Sequence, residues 1–443
     1  MQRRKRLVCC STFIFKKSRY PLKIAIIGSG ISGISAAYNL DKEHEIVIYE
    51  SNPRIGGHTN TVSVEDELGN PWNIDTGFIV FNDRNYPGFS KFLIELGVKS
   101  FKTSMSFSFT DYSKNIAYAG TLLGLTPSLT NWTSGGPKTL FNIYKYSRKL
   151  RRIQLSDSHE SQSITDFLRH AGCPNEVINN YFKPIASAIW SCDQKAAEKI
   201  PVSTYATFFD NHGLLQLTNR PKWYSVVGGS ITYLNAFKNC FRGTIKTGEE
   251  VIRVLEKENS VCVTTKQGIS ESFDYVIVST HADQALKIVE NISNEKSNIL
   301  QAIQYSINKI YLHTDLTFMP KEKRLWASWN VIREESRNFT DHTYTTYNMN
   351  LLQSIESKTR FLVTVDPENP PIKSDVLYQT TFSHPMLSHS EKSKSKIIPI
   401  LNKKGKIKFC GAYTGYGFHE DGYKSGIEVS EIIKSETSRG SSE

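Results

Sequence analysis

The chain has 443 residues, enough for two domains with sizeable cores, and its 39% hydrophobic and 22% charged residues are those of a folded globular protein, not a disordered one. The net charge of +11 would suggest an acidic partner, yet seven of the 54 basic residues and none of the 43 acids fall in residues 1 to 21, so the rest is nearly balanced and, with no recognition motif, argues against nucleic acid. Seven scattered cysteines and eleven histidines form neither a disulfide framework nor a metal-ligand spacing, so no metal is expected and a reducing, cytoplasmic setting fits.

Residues 1 to 21 read basic, then apolar from Leu7 to Phe15, then basic. So short an apolar run cannot span a bilayer, and no small-residue cleavage site follows. The stretch is expected to be an unstructured extension, or translated sequence ahead of a start near Leu22. With Cys9 and Cys10 as acylation candidates it can also touch an anionic membrane, so peripheral membrane contact is the alternative to a plain cytoplasmic protein.

A strand over Lys23 to Ile27, a helix over Ile31 to Leu40 and a strand over Glu45 to Tyr49 make a βαβ unit. Gly28-Ser29-Gly30-Ile31-Ser32-Gly33 lies between the first two. Gly28 permits a tight turn, Gly30 lets a pyrophosphate approach the backbone, and Gly33 lets helix and strand pack closely. The helix N-terminus offers unpaired N–H groups and the positive end of its dipole. Glu50, at the end of the second strand, can take ribose hydroxyls. The unit predicts a dinucleotide.

Further along, Leu140 to Arg152 and Ile164 to Ala188 have helical spacing, with Ser163 or Thr165 as N-cap and Pro174 opening a new helix. Val251 to Val263 and Phe273 to Ser279 alternate as strands around a turn at Gly268. Lys309 to Thr314, Leu325 to Ile332, Thr343 to Met349 and Phe361 to Val365 alternate as an antiparallel sheet would. Strand Lys406 to Cys410 and a helix from about Gly422 return to α/β form. The dinucleotide domain is thus interrupted twice by a substrate domain.

Arg54-Ile55-Gly56-Gly57-His58 resembles the RxGG element of the flavin-containing amine oxidase superfamily. Asp75-Thr76-Gly77, Val227-Gly228-Gly229-Ser230, Glu250-Val251, Phe409-Cys410-Gly411-Ala412 and Glu420-Asp421-Gly422 resemble its later elements in order. Runs such as NHGLLQL, RPKWYSVVGGS, HADQAL, LHTD, WASWN and GFHEDG are similar to a bacterial subgroup of predicted FAD-dependent, amine-oxidase-like proteins often encoded beside cyclopropane fatty acid synthases.

The fold class implied is α/β. A Rossmann-type FAD-binding domain (22 to 100, 220 to 300, 400 to 435) is interrupted by an α+β substrate domain (101 to 219, 301 to 399) with an antiparallel sheet and a helical insertion, and a disordered tail follows from 436 to 443. The resemblance also implies noncovalent FAD, since Cys410 does not match the exposed cysteine that carries flavin in some relatives. The cofactor-binding residues implied are Gly28, Ser29, Gly30, Ile31, Ser32, Gly33, Glu50, Arg54, Gly56, Gly57, His58, Val251, Gly411, Asp421 and Gly422.

Two catalytic candidates follow from the same resemblance. Lys309 stands where many superfamily members keep a lysine that holds a water against flavin N5. His419 stands where monoamine oxidases put one aromatic wall of their substrate cage, which weakens the amine reading and offers an acid or base near neutral pH. His58, Trp190, His212, Trp223, Trp329 and Tyr416 are further candidates for the pocket lining. The expected function is hydride transfer between a substrate C–H bond and flavin, on a small molecule or a lipid acyl chain. The alternatives are an amine oxidase and, as in Rab GDP-dissociation inhibitors, a non-enzymatic binding protein.

Overall fold

The structure is a computed structural model that describes residues 21–114, 116–120, 136–153, 162–190, 192, 194–216, 220–335, 341–386 and 391–439. The basic N-terminal stretch up to residue 20, with Cys9 and Cys10, lies outside the described residues.

Strands Lys23–Ile27 and Glu45–Glu50 pair in parallel, with Ile24 opposite Ile46 and Ile26 opposite Ile48. Thr244–Thr247 extends this sheet beyond Glu45–Glu50, and Tyr275–Val278 then Ile407–Phe409 extend it beyond Lys23–Ile27, all in parallel. Apolar residues run almost without interruption along these strands because both faces are covered. Ile24, Ile26 and Ile48 pack toward helices Ile31–Leu40 and His419–Arg439. Ala25, Ile27 and Val47 pack toward the hairpin strands Val251–Glu256 and Val261–Thr265 and helix Ala282–Ile288.

The last helix starts at His419, three residues before the start expected at Gly422. It also runs through Arg439, so the tail expected from residue 436 begins inside it. Its glycines serve close packing on the first helix: a Cβ at Gly426 would lie 2.1 Å from the Ser32 carbonyl oxygen, and one at Gly422 would lie 2.7 Å from Ile31 Cγ2.

The second large sheet has the strand order Val376–Pro385, Tyr305–His313, Leu362–Val365, Asp341–Asn348, Trp329–Glu335, Phe107–Asp111, Ile116–Gly120. It is antiparallel except where Trp329–Arg333 meets Phe107–Asp111 in parallel. One face buries apolar residues, among them Ile310, Leu312 and Val363. The other buries a polar row in which Thr364 meets Thr346 at 2.8 Å, Asn330 Nδ2 donates to the Thr346 carbonyl at 3.1 Å and Ser108 Oγ donates to Asn330 Oδ1 at 2.9 Å. These four side chains partner one another or backbone, as burial demands. The strand expected from Leu325 starts instead at Trp329, after a short 3₁₀ turn over Lys323–Leu325.

The helical insertion packs on this sheet. Of the two caps expected, Ser163 caps helix Ile164–His170 by accepting from Asp166 N at 3.1 Å, and Thr165 lies inside it. As expected, a new helix follows Pro174, and Gly172, at φ +80, ends the one before it. A π-helical turn over Ile178–Phe182 then leads into helix Lys183–Trp190. Arg333 joins insertion to sheet: its guanidinium donates to Asp111 Oδ2 at 3.0 Å, Asn180 Oδ1 at 3.1 Å and the Asn179 carbonyl at 2.5 Å, and both charges are buried. Among the described residues no helix is long and apolar enough to cross a membrane.

Candidate nucleotide and substrate site

The glycine turn sits at the carboxyl end of the central parallel strand. Gly28 takes φ +99, and its N–H donates to the Tyr49 carbonyl at 2.8 Å. A Cβ at Gly33 would lie 2.1 Å from the Gly28 oxygen, so that position must be glycine for the helix to approach the turn. A Cβ at Gly30 would meet nothing within 4 Å. The space above Gly30 opens onto the first turn of helix Ile31–Leu40, which has no acidic residue and no side-chain cap from Gly30. An uncapped helix start over an open backbone suits a phosphate.

Glu50 closes one side of the turn. Ser29 donates to Oε2 from its backbone N (3.0 Å) and its Oγ (2.6 Å), while Asn52 donates to Oε1 from N and Nδ2, both at 2.9 Å. Burial pushes the Glu50 carboxyl up, but the bonds from Ser29 and Asn52 outweigh it and hold the group below its ordinary value. Glu249 N donates to the Glu50 carbonyl at 2.9 Å, which brings the strand that opens at Val251 to the same corner.

On the other side, Gly56 (φ +115) donates its N–H to the Ser29 carbonyl at 3.0 Å, and a Cβ at Gly57 would lie 3.2 Å from Gly30 Cα. Arg54 shapes this loop by donating to the carbonyls of Thr59 (2.9 Å) and Gly57 (3.1 Å). The two glycine elements thus form one cradle that side chains would fill. It fits a dinucleotide pyrophosphate, with Gly28 to Gly33, Gly56 and Gly57 around it and Glu50 at the ribose end.

The closing segment positions this cradle more than it lines it. Gly411 N donates to Ser425 Oγ at 3.0 Å, and Gly422 serves the packing of the last helix. Asp421 accepts from Tyr416 N (3.1 Å) and Phe418 N (2.9 Å), so its carboxylate folds the loop ahead of the helix. The Asp421 side chain is thus engaged within its own loop, and Gly422 within the helix packing. Cys410 is buried and burial pushes its thiol up.

His58 leads to a group that sequence reasoning missed. Its ring stacks on Phe382 at 4.8 Å and lies 5.2 Å from the His384 ring and 5.7 Å from that of His281. His384 Nδ1 bonds Asn308 Oδ1 at 2.8 Å, and the His281 ring stacks on Tyr305 at 4.6 Å. His58 Nε2 is buried with no hydrogen-bond partner in the protein. Burial pushes all three imidazoles down, His384 to about 4 and His58 well below its ordinary value, helped by the other two rings. At neutral pH they are uncharged.

The two catalytic candidates fall in different settings. Lys309 is exposed, as is Thr381 opposite it on the neighbouring strand. Asn308 and Phe382, also opposite each other, point to the side where His58 and His384 lie. Alternation along a strand sends adjacent side chains to opposite faces, so Asn308 holds the inward place. His419 stacks on Phe78 at 3.8 Å and bonds the Tyr233 hydroxyl through Nε2 at 3.1 Å, and Tyr233 meets Thr59 Oγ1 at 2.5 Å. Burial pushes His419 down to about 3, so it carries no proton to give near neutral pH.

Aromatic residues gather on the substrate side. Phe107, Tyr181, Tyr416 and Phe418 are partly exposed and pack on the core of the helical insertion, while Trp329 joins Phe107 and Tyr181 over the sheet. Trp190 and His212 are core: Trp190 Nε1 is buried with no protein partner, and His212 stacks on Phe208 at 3.8 Å. Trp223 belongs to a small three-stranded sheet with Phe81–Asn82 and Ser100–Thr103.

A glycine turn at the carboxyl ends of a parallel sheet, with Glu50 on the neighbouring strand, defines a dinucleotide-binding protein of the doubly wound α/β class. Residues 31–362 match the flavin containing amine oxidoreductase family, and the chain belongs to that family, with FAD as its cofactor. It is 25% identical over 256 residues to coproporphyrinogen III oxidase of Bacillus subtilis (strain 168), an alignment covering 53% of this chain and 50% of that one. It is 24% identical over 309 residues to an L-amino-acid oxidase of Siganus canaliculatus, covering 65% of this chain and 56% of that one. The alignments span about half the length of these curated relatives. In fold it is similar to cyclohexylamine oxidase from Brevibacterium oxydans IH-35A (TM-score 0.67, 16% identity, 94% of this chain and 99% of that one). It is also similar to a CLA-producing fatty acid isomerase from P. acnes (TM-score 0.65, 12% identity, 94% and 98%).

Proposed function

We propose that the protein is an FAD-dependent oxidoreductase, holding its cofactor noncovalently, that exchanges hydride with a C–H bond of an uncharged apolar substrate, most readily an acyl chain of a membrane lipid. FAD, when bound, supplies the hydride acceptor or donor. The residues of the chain bind, orient and exclude water. The observation that carries the reading is a set of partly exposed aromatic side chains: Phe107, Tyr181 and Trp329 together over the sheet, and Tyr416 and Phe418, from the segment before the last helix, on the insertion core. An apolar chain laid along such a surface is desolvated and aligned without needing a charged anchor.

An amine reading finds less support. An ammonium group is drawn to open aromatic faces or to a carboxylate. His419, in the place of a cage wall, has its ring on Phe78 and its Nε2 on Tyr233. Asp111, buried nearby on the sheet, is committed to Arg333. Resemblance to the subgroup encoded beside cyclopropane fatty acid synthases favours the lipid, and the fold accommodates it, since a fatty acid isomerase shares it as cyclohexylamine oxidase does.

The test is anaerobic reduction of the purified yellow protein, followed by loss of flavin absorbance. Phospholipids with unsaturated or cyclopropane chains are expected to bleach it, or to reoxidise it after reduction with dithionite. Bleaching by simple amines alone would overturn the lipid reading. A protein that neither copurifies with FAD nor takes it up would overturn the oxidoreductase.

A further inference from the structure

Helix Gly136–Ile153, the first of the helical insertion, carries Lys138, Lys145, Arg148, Lys149, Arg151 and Arg152 and no acidic residue. Ile143, Tyr146, Leu150 and Ile153, spaced three and four apart, seat it on the insertion core. The opposite side is unusual for a surface helix. Phe141 is 63% exposed and Tyr144 is 44% exposed, with exposed Lys145, Arg148 and Arg152 on the same stripe. The Arg148 guanidinium lies 5.8 Å from the Tyr144 ring centre.

Two of the six cations meet polar groups of the protein: Lys149 Nζ donates to the Ala171 carbonyl at 3.0 Å, and Arg151 pairs with Asp210 at 2.7 Å, while Lys145 lies 5.3 Å from the Tyr146 ring centre. Lys138, Lys145, Arg148 and Arg152 meet no carboxylate among the described residues and face solvent. Singly exposed apolar residues need no explanation. Two aromatic rings set in a field of one sign do. An amphipathic helix with cations beside exposed aromatic rings is suited to lie in the plane of a bilayer surface, its rings at headgroup depth and its cations on lipid phosphates.

We propose that this face of helix Gly136–Ile153 docks the protein on an anionic lipid surface, with Phe141 and Tyr144 entering the headgroup layer and Lys145, Arg148 and Arg152 meeting phosphates. A second copy of the chain fits less well, since a two-fold contact through this face would set like charges against each other. The insertion core beneath the helix also supports Tyr181, Tyr416 and Phe418, so docking brings the aromatic surface toward a supply of acyl chains. Docking stands apart from the choice of substrate, because vesicle binding needs no turnover.

The experiment is co-sedimentation of the full FAD-loaded chain with vesicles of phosphatidylcholine, or of phosphatidylcholine and phosphatidylglycerol in equal parts. Binding to the mixed vesicles alone, weakening as salt rises, is expected. Lys145→Glu with Arg148→Glu is expected to lower partitioning by roughly tenfold or more, and Phe141→Ser with Tyr144→Ser to weaken it at every salt concentration. All four side chains are exposed, and unchanged flavin absorbance checks that the variants fold. A parallel variant replaces Arg3, Arg4, Lys5 and Arg6 by Ser. Loss of binding in that variant, with none in the helix variants, would overturn the proposal. So would equal sedimentation with both vesicles, or a dimer of the wild type in light scattering that the helix substitutions dissociate.

Discussion

The two sides of the cleft are built differently. On the nucleotide side the geometry is set by backbone: Gly33 and Gly56 bring loops together at distances a Cβ would forbid, Gly28 and Gly57 take positive φ, and the buried carboxylate of Glu50 has acceptors filled on both oxygens. On the substrate side the geometry is set by side chains from distant segments. Its buried polar groups include the histidine group with an unpartnered His58 Nε2, and the Arg333–Asp111 pair between insertion and sheet. Backbone-built sites are written in short motifs, and side-chain-built ones are assembled only by the fold.

The largest effect expected is at Arg333. Replacing it by Met removes the buried cation from Asp111, leaving that carboxylate with Ser113 Oγ, the Lys114 N–H and the Lys114 ammonium at 3.9 Å, which costs about 3 kcal/mol. Urea unfolding should show the loss. The exposed pair Lys266–Glu250 is the control, since Lys266→Met should leave the urea midpoint nearly unchanged. On the nucleotide side, Gly33→Ala forces a methyl against the Gly28 carbonyl. It is expected to cost roughly 3 kcal/mol and to release the flavin, read as loss of yellow colour through gel filtration. If Gly33→Ala keeps its FAD, the backbone account of the cradle fails.

The two sides should also separate by pH. The imidazoles of His384 and His419 are pushed down to about 4 and about 3 in the fold, from an ordinary 6.5. The unfolded chain therefore binds protons first, and stability falls as pH drops below 6.5. Asp75 runs the other way: buried, it is pushed up to about 7, so its contribution is present at low pH and is lost as pH rises through 7. Glu50, held below its ordinary value, loses its contribution only as pH falls below the usual carboxylate range. Melting followed from pH 7 to 5 should decline for the wild type. His384→Gln should flatten the decline, by at most about 1.4 kcal/mol per pH unit, and Asp75→Asn should steepen it.

This contrast explains what the sequence could disclose. The βαβ unit and the glycine loops were legible because a motif, a strand on either side and a spaced carboxylate constrain one another within a few dozen residues. Ser163 as a cap was legible for the same local reason. The histidine group was not, because His58, His281 and His384 come from three segments. One of these, strand Val376–Pro385, lacks a clear alternation of apolar residues, because its inward positions include the polar Thr380 and His384 while the outward side carries Leu377. The last helix was placed late because its true start, His419, looks like loop until Asp421 is seen folding back on Tyr416 and Phe418.

The finest test of the comparison lies in two adjacent residues. Family position favoured Lys309, whereas strand alternation turns Asn308 inward to His384, with Ser306 Oγ also donating to its Oδ1 at 3.1 Å. Asn308→Ala removes a buried acceptor from two donors and should cost about 1–3 kcal/mol, and it should slow flavin reduction by the authentic substrate. Lys309→Ala should change stability by less than about 0.5 kcal/mol and leave flavin reduction and reoxidation unchanged. A slow reoxidation by oxygen in Lys309→Ala, with Asn308→Ala normal, would mean that the lysine reaches the flavin after all. Which face of the strand the cofactor meets would then have to be reversed.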